Sequence, residues 1–310
     1  MIAVVQFTHP GAEHILNRDD KKVGSNIKLW NYGGHRRKYM LARGSCITNG
    51  EVLHDQDLLF WGEWEPMSKV VPISKIQGSG ALPTLIQYPY LETDKNGKVL
   101  VPWNNGKFRT VKGNKVPLCR QNTDPFVFGN SFYYCVCKQG FFKKMKQLER
   151  GSIILFGSTV SLKQGGPFFV LDTVFVVSDY RNYTPATYQK DLQGFIPNTY
   201  DEIMGFKHWN EQNAQLVCYK GATINESIDG IFSYVPCKMK EEEIIGFPRI
   251  KINNGLLSRI ITDNLNAAPK FSAINNSAMI KGVWNEISKL VEEQGYMKGF
   301  DFKYNKVIVP

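Results

Sequence analysis

Gly151-Ser152-Ile153-Ile154-Leu155-Phe156-Gly157 and Phe168-Phe169-Val170-Leu171-Asp172-Thr173-Val174-Phe175-Val176-Val177-Ser178 are the two stretches that set the fold class. Both are rich in β-branched and aromatic residues, and turn formers bound them. Between them lie Lys163, Gly165, Gly166 and Pro167. Apolar side chains occupy both faces of each strand, which places the pair in the middle of a sheet or closed barrel with cover on either side. One carboxylate, Asp172, interrupts the second run. A buried carboxylate must be paired, hydrogen-bonded or protonated. Asp172 therefore anchors one of the arginines or takes part in chemistry.

Outward from this pair the chain alternates short strands with turns. Residues 140–149 read as a helix, with Phe141, Phe142, Met145 and Leu148 on one face and Gly151 as its terminator. Residues 2–7 form an opening strand, and residues 132–136, 215–219 and 231–235 read as further strands. Residues 67–118 carry many turn formers, and Asp94-Lys95-Asn96-Gly97-Lys98 is a hairpin turn. Residues 201–206 suit a short helix. Near the C-terminus, Ile280, Val283, Trp284, Ile287, Leu290 and Val291 keep helical spacing behind a Ser277 cap and end at Gly295. Residues 300–309 are suited to return as an edge strand. The expected class is α+β: a β-dominated mixed sheet with flanking helices and a C-terminal amphipathic helix. A β-rich main domain over 1–240 is expected, with 241–310 as a helical extension packed on it.

The chain has 310 residues, 43% hydrophobic and 21% charged, a globular balance far from that of disordered chains. Its net charge of +10 favours a polyanionic partner such as nucleic acid or a nucleotide. The six cysteines contain no Cys-x-x-Cys pair, which argues against a zinc ribbon. Residues 1–7 do not make a signal peptide, and no apolar run approaches the roughly 20 residues of a membrane span. A soluble, reducing, cytoplasmic setting without a membrane partner is expected.

Four motifs carry candidate chemistry. In Leu58-Leu59-Phe60-Trp61-Gly62-Glu63-Trp64-Glu65-Pro66, a strand puts Trp61, Glu63 and Glu65 on one face and Phe60, Gly62 and Trp64 on the other. The two carboxylates then lie roughly 6–7 Å apart, a spacing suited to acid/base work or to gripping a cation. The tryptophans offer flat surfaces for a planar ligand; the plainer alternative is a half-buried strand with an acidic face. Thr8-His9-Pro10-Gly11-Ala12-Glu13-His14 places two histidines and a glutamate after a strand, as metal ligands, as an acid/base set, or as a polar loop. In residues 29–43, Gly33-Gly34 delivers His35, Arg36, Arg37 and Lys38, with Arg43 beyond and Trp30, Tyr32 and Tyr39 interleaved. That mixture suits a phosphate clamp beside stacking platforms, or an exposed basic hairpin with core aromatics. It is not a Walker loop. Asn122-Thr123-Asp124-Pro125-Phe126-Val127-Phe128-Gly129 offers Asp124 as a catalytic or ribose-binding carboxylate, or as an Asx-turn residue.

The helix before Leu148-Glu149-Arg150-Gly151-Ser152-Ile153-Ile154-Leu155-Phe156-Gly157, with the strand at 168–178, resembles PUA-like barrels of the EVE, ASCH and YTH group. The resemblance covers some 30 residues and implies a small β-barrel core near 130–240 that binds RNA or modified DNA bases in an aromatic-lined pocket. The conjunction of the 8–14, 35–38, 61–65 and 123–129 motifs also resembles uncharacterised bacterial proteins linked with nucleotide modification. That likeness implies no particular reaction.

Three functions are then expected in order. The first is a nucleic-acid or nucleotide binder that takes a modified or flipped base on Trp30, Tyr32, Trp61 and Trp64. In it His35, Arg36, Arg37 and Arg43 hold phosphates, and Glu63 or Asp124 bonds the base or sugar. The second is a hydrolase or glycosidase on nucleotides or nucleic acid, with His14 or His35 as acid/base and Glu63, Glu65 or Asp124 as carboxylate partner. The third is a basic interaction protein docking an acidic partner. No cofactor is assigned.

Overall fold

The computed structural model describes residues 1–9, 27–28, 37–64, 66, 68–73, 75–77, 83, 85–97, 108–111, 114–117, 123–161, 167–206, 211–252, 268–274 and 276–308. In chain order the strands are β1 (Ala3–Thr8), β2 (Ile27–Lys28), β3 (Lys38–Thr48), β4 (Glu51–Gly62), β5 (Ser68–Pro72), β6 (Lys75–Ile76), β7 (Leu85–Thr93), β8 (Phe108–Val111), β9 (Asn114–Pro117) and β10 (Tyr133–Tyr134). They continue as β11 (Ile153–Ser161), β12 (Pro167–Tyr183), β13 (Leu216–Gly221), β14 (Val235–Met239), β15 (Ile245–Gly246), β16 (Ile250–Ile252), β17 (Lys270–Ala273), β18 (Met297–Phe300) and β19 (Asn305–Ile308). The helices are α1 (Tyr188–Asp191), α2 (Asn198–Met204) and α3 (Ser277–Glu293).

Two mixed sheets dominate. The first runs β10-β13-β12-β11-β1-β17, with β16 also on β12; the second runs β18-β14-β4-β3-β7-β5-β2, with β19 on β7. The Gly151 and Phe168 stretches are the antiparallel pair β11–β12 in the first sheet, as their two-sided apolar pattern requires. The parallel strand β1 covers the far edge of β11. In the second sheet β18 pairs with both β14 and β3, so β3, β4, β14 and β18 form a ring of pairings. This is a β-dominated α+β protein with mixed sheets and few helices.

The longest helix follows its sequence pattern. Ile280, Val283, Trp284, Ile287 and Val291 are buried, but the cap is Asn276, whose side chain accepts the Ala278 N–H at 2.8 Å. The helix expected over 140–149 reduces to one 3-10 turn, Lys143–Lys146, with Met145 buried and Phe141 exposed. Of residues 231–235, Val235 starts β14, which runs Val235–Met239, while Ile231 and Tyr234 make single β-bridges to Ile228 and Val174. Residues 241–310, expected as a helical extension, supply α3 and also strands to both sheets. There β17 lies on β1, β18 on β14 and β3, and β19 on β7.

Candidate functional site

Strand register explains how a set of distant charged residues meets. Lys38 pairs with Gly62 at the end of the β3–β4 ladder, so Arg37 and Glu63, the next residue on each chain, lie opposite one another. Arg37 Nη1 donates to Glu63 Oε2 at 3.0 Å. In the first sheet, Phe156 pairs with Thr173 but Gly157 pairs with Leu171. Asp172 is the extra residue of that bulge, and bulges re-aim a side chain where a strand would otherwise hold it in line. Leu171 pairs in turn with Ile250 of β16, which brings Arg249 alongside Asp172. Arg249 Nη1 donates to Asp172 Oδ1 at 3.1 Å and to Ser158 Oγ at 2.8 Å. Arg37 Nε lies 3.2 Å from Asp172 Oδ2, so one guanidinium joins carboxylates of the two sheets.

His9 completes the group. Its backbone N–H extends the β1–β11 ladder to Gly157 O at 2.7 Å, which fixes the ring just beyond the strand end. His9 Nε2 lies 3.6 Å from Glu63 Oε2 and 3.5 Å from Cys137 Sγ. The side chains of His9, Glu63, Arg37, Asp172 and Arg249 are all at most 1% exposed. Burial alone would lower the Arg37 pKa, but the charges of Glu63, Asp172 and Cys137 outweigh it and hold the guanidinium above its usual range. Arg37 Nη2 has no hydrogen-bond partner among the described residues.

Asp124 builds the loop that delivers Cys137. Its carboxylate accepts the backbone N–H groups of Cys135 at 3.0 Å and of Val136 and Cys137 at 2.8 Å each. Burial pushes its pKa up to about 7 despite these three donors, with Glu63 adding to the rise. Lys138 follows in a left-handed conformation, φ 64°, and its Nζ donates to Thr8 O and lies 4.9 Å from the Phe7 ring centroid. Burial lowers its pKa to about 8, with Arg37 acting in the same direction against the pull of Cys137.

The sequence-derived candidates separate accordingly. Glu63 and Arg37 converge as an ion pair. Asp124 is not an open catalytic carboxylate: both its oxygens are committed to the backbone. The face alternation of the 58–66 motif holds, with Phe60 and Trp64 in one hydrophobic cluster and Trp61 in the other. Both tryptophans are core side chains and not the stacking surface expected of them. Trp64 packs edge-on to Phe128 at 4.7 Å, and Trp61 donates to Phe247 O at 2.9 Å beneath the Arg249 guanidinium. Arg43 does not join Arg37: it is 58% exposed, 3.9 Å from both Asp55 and Asp57. His14, Trp30, Tyr32, His35, Arg36 and Glu65 lie outside the described residues.

Cys137, Lys138, Ser158 and Arg249 join the group without belonging to any of the four sequence motifs. Asp172 carried a signal, one acid in an apolar run, and anchoring arginines is what it does. Arg249 has a fainter one, a single charge between Phe247-Pro248 and Ile250. Among the described residues no group of three or more His, Cys, Asp and Glu side chains is arranged to hold a metal ion. A separate surface cavity of about 510 Å³ is lined by Arg150, Lys220, Asp179, Glu226 and Tyr180 among others. Its two cations and two carboxylates leave it without the charge excess of a phosphate clamp. No helix among the described residues is long and apolar enough to cross a membrane. No protein-family model, curated protein or solved structure matches this chain.

Proposed function

We propose that this protein is an enzyme acting on a nucleotide or nucleic acid, a hydrolase, with His9 as its acid/base group and Glu63, fixed by Arg37, as the carboxylate partner of His9. The single observation that carries this reading is the His9–Glu63–Arg37 constellation, an imidazole 3.6 Å from a carboxylate that a guanidinium binds at 3.0 Å, all fully buried. Dehydrating such groups costs several kcal/mol per ion, and apolar residues of similar volume often serve packing as well. Charged clusters of this kind concentrate where chemistry needs them. The polyanionic ligand is supported by the net charge of +10. The burial of Trp61 and Trp64 weighs against the alternative of a passive aromatic binding surface.

The test begins with purified protein, denatured, with mass spectrometry of any released nucleotide or oligonucleotide. Binding to a panel of DNA, RNA and nucleotides follows at two salt concentrations, and affinity should fall steeply with salt. Glu63→Gln then separates chemistry from binding. An enzyme loses turnover, by about 10²-fold or more, with binding largely kept; a binding protein loses affinity. A protein that releases no nucleotide and binds none at low salt refutes the proposal.

A further inference from the structure

His9 and Glu63 leave one reactive side chain of the cluster without a task. The Cys137 thiol lies 3.5 Å from His9 Nε2, the nitrogen that also faces Glu63. Its backbone is unusually well fixed. The N–H groups of residues 135 to 137 all point at Asp124, and Lys138 turns left-handed immediately after. Backbone held in such a sparsely populated conformation clusters where side chains must be aimed. The groups facing the thiol come from several elements: His9 beyond β1, Arg37 before β3, Tyr134 on β10, and Lys138 and Asp124 around its own loop. Glu63 reaches it through His9. Three of these are cations or can become so, and positive neighbours favour the thiolate, the reactive form of cysteine. Burial pushes the thiols of Cys135, Cys218 and Cys237 up, with Asp124 raising the first two further and Cys46 the third.

We propose that Cys137 is the nucleophile of this site and His9 its base, and that the reacting atom of the ligand is a trigonal carbon bonded to nitrogen, the amide or amidine carbon of a base-like compound. The substrate class rests on the nucleotide reading above; the activated thiol stands without it. The other chemistries open to a hydrolase ask for different groups. Glycoside hydrolysis uses a pair of available carboxylates flanking the sugar. Here Glu63 is held by Arg37 and Asp124 by three backbone N–H groups. A thiol beside an imidazole is instead the arrangement of covalent catalysis at an unsaturated carbon.

In the step proposed, the thiol proton passes to His9 Nε2, the sulfur electron pair forms an S–C bond, and the carbon's π pair moves onto its doubly bonded oxygen or nitrogen. That pair then re-forms the double bond as the C–N bond breaks, and the leaving nitrogen takes the proton from His9. A water molecule next gives a proton to His9 while its oxygen bonds to the same carbon, and the π pair again moves onto the heteroatom. The pair returns as the S–C bond breaks, and Cys137 recovers its proton from His9. One C–N bond is hydrolysed by one water, with no change of oxidation state.

The thiolate is tested on the protein alone, by its ultraviolet absorbance against pH in wild type minus Cys137→Ser. One thiolate is expected to appear with a midpoint at least a full unit below the ordinary value of about 8.5, and His9→Asn should move it up by about a unit or more. A midpoint at the ordinary value or above, or one indifferent to His9→Asn, overturns the proposal. Should Cys137→Ser not fold, iodoacetamide labelling of wild type near pH 6.5 decides the same question by peptide mapping. Cys137 should react about tenfold faster than in His9→Asn, and no preference for Cys137 refutes an activated thiol. The substrate class is tested by ammonia release from cytosine-, adenine- and guanine-bearing nucleosides and nucleotides. Release by wild type and its loss in Cys137→Ser supports the class. No release from any of them, or turnover that survives Cys137→Ser, overturns it. Nucleotide binding without ammonia release would leave the general reading standing and sink only the substrate class.

Discussion

Arg37→Met removes the guanidinium that ties the two sheets together while keeping much of its volume. Asp172 loses a contact at 3.2 Å but retains Arg249 at 3.1 Å, so it stays compensated. Glu63 loses its 3.0 Å donor, and its buried side chain, at zero exposure, has His9 Nε2 at 3.6 Å. Breaking one partner from a buried pair costs about 3–5 kcal/mol, mostly as the penalty of the charge left behind. With Asp172 still paired, the loss should fall near the lower end, about 3 kcal/mol. For 310 residues the unfolding entropy is about 0.65 kcal/mol/K, so Tm should drop by about 5 °C. Urea unfolding followed by fluorescence, with Tm from calorimetry, measures both. Adding Glu63→Gln removes the buried charge that has lost its guanidinium, so the double variant should be more stable than the sum of the two single losses by about 1 kcal/mol or more. A loss below about 1 kcal/mol for Arg37→Met, or simple additivity, would refute the view of Arg37 and Glu63 as a dehydrated, mutually dependent pair.

Three further outcomes follow from the same geometry. A Cβ on Gly157 would lie 2.1 Å from the Val170 carbonyl oxygen and 2.5 Å from Phe169 Cζ, and the backbone oxygen cannot step aside. Gly157→Ala should therefore cost about 3 kcal/mol or leave the protein insoluble, as thermal melts and soluble yield will report. Trp64→Ala should cost about 3–5 kcal/mol of stability while nucleotide affinity per folded molecule stays unchanged, since the ring is core and not platform. Asp124, pushed up to about 7 by burial, binds its proton more tightly when folded than when unfolded, where its pKa is about 3.9. Its contribution is thus complete below about pH 4 and is lost as pH rises through 7. Between pH 5 and 8 wild type should lose about 2 kcal/mol or more relative to Asp124→Asn in urea titrations, and parallel curves would contradict the shift.

Much of the fold is legible along the chain because local pattern dictates it. The two-sided apolar runs of β11 and β12 could only be interior strands, and the spacing from Ile280 to Val291 could only be a helix buried on one face. Where the signal was short, tertiary context prevailed. Phe141 sits at helical spacing from Met145 and Leu148, yet only one 3-10 turn forms and Phe141 stays exposed. Alternation predicted correctly that Trp61 and Trp64 face opposite ways. It carried no information on whether either face reaches solvent, because that depends on what other segments lay over it, here Phe247 on one side and Phe128 with Tyr304 on the other.

The sequence by itself determined the class of structure, the net positive charge, and the presence of an isolated acid in an apolar strand that had to find a cation. Only the tertiary structure decided which cations. Arg37 and Arg249 lie 135 and 77 positions from Asp172, beyond the reach of any local rule. They meet it through two strand registers and a one-residue bulge. Shifting a register by one residue turns each side chain to the opposite face, so the site is a property of the completed ladders. The same holds for Cys137 and His9, 128 residues apart, which meet at 3.5 Å because Asp124 fixes one loop and the β1–β11 ladder fixes the other.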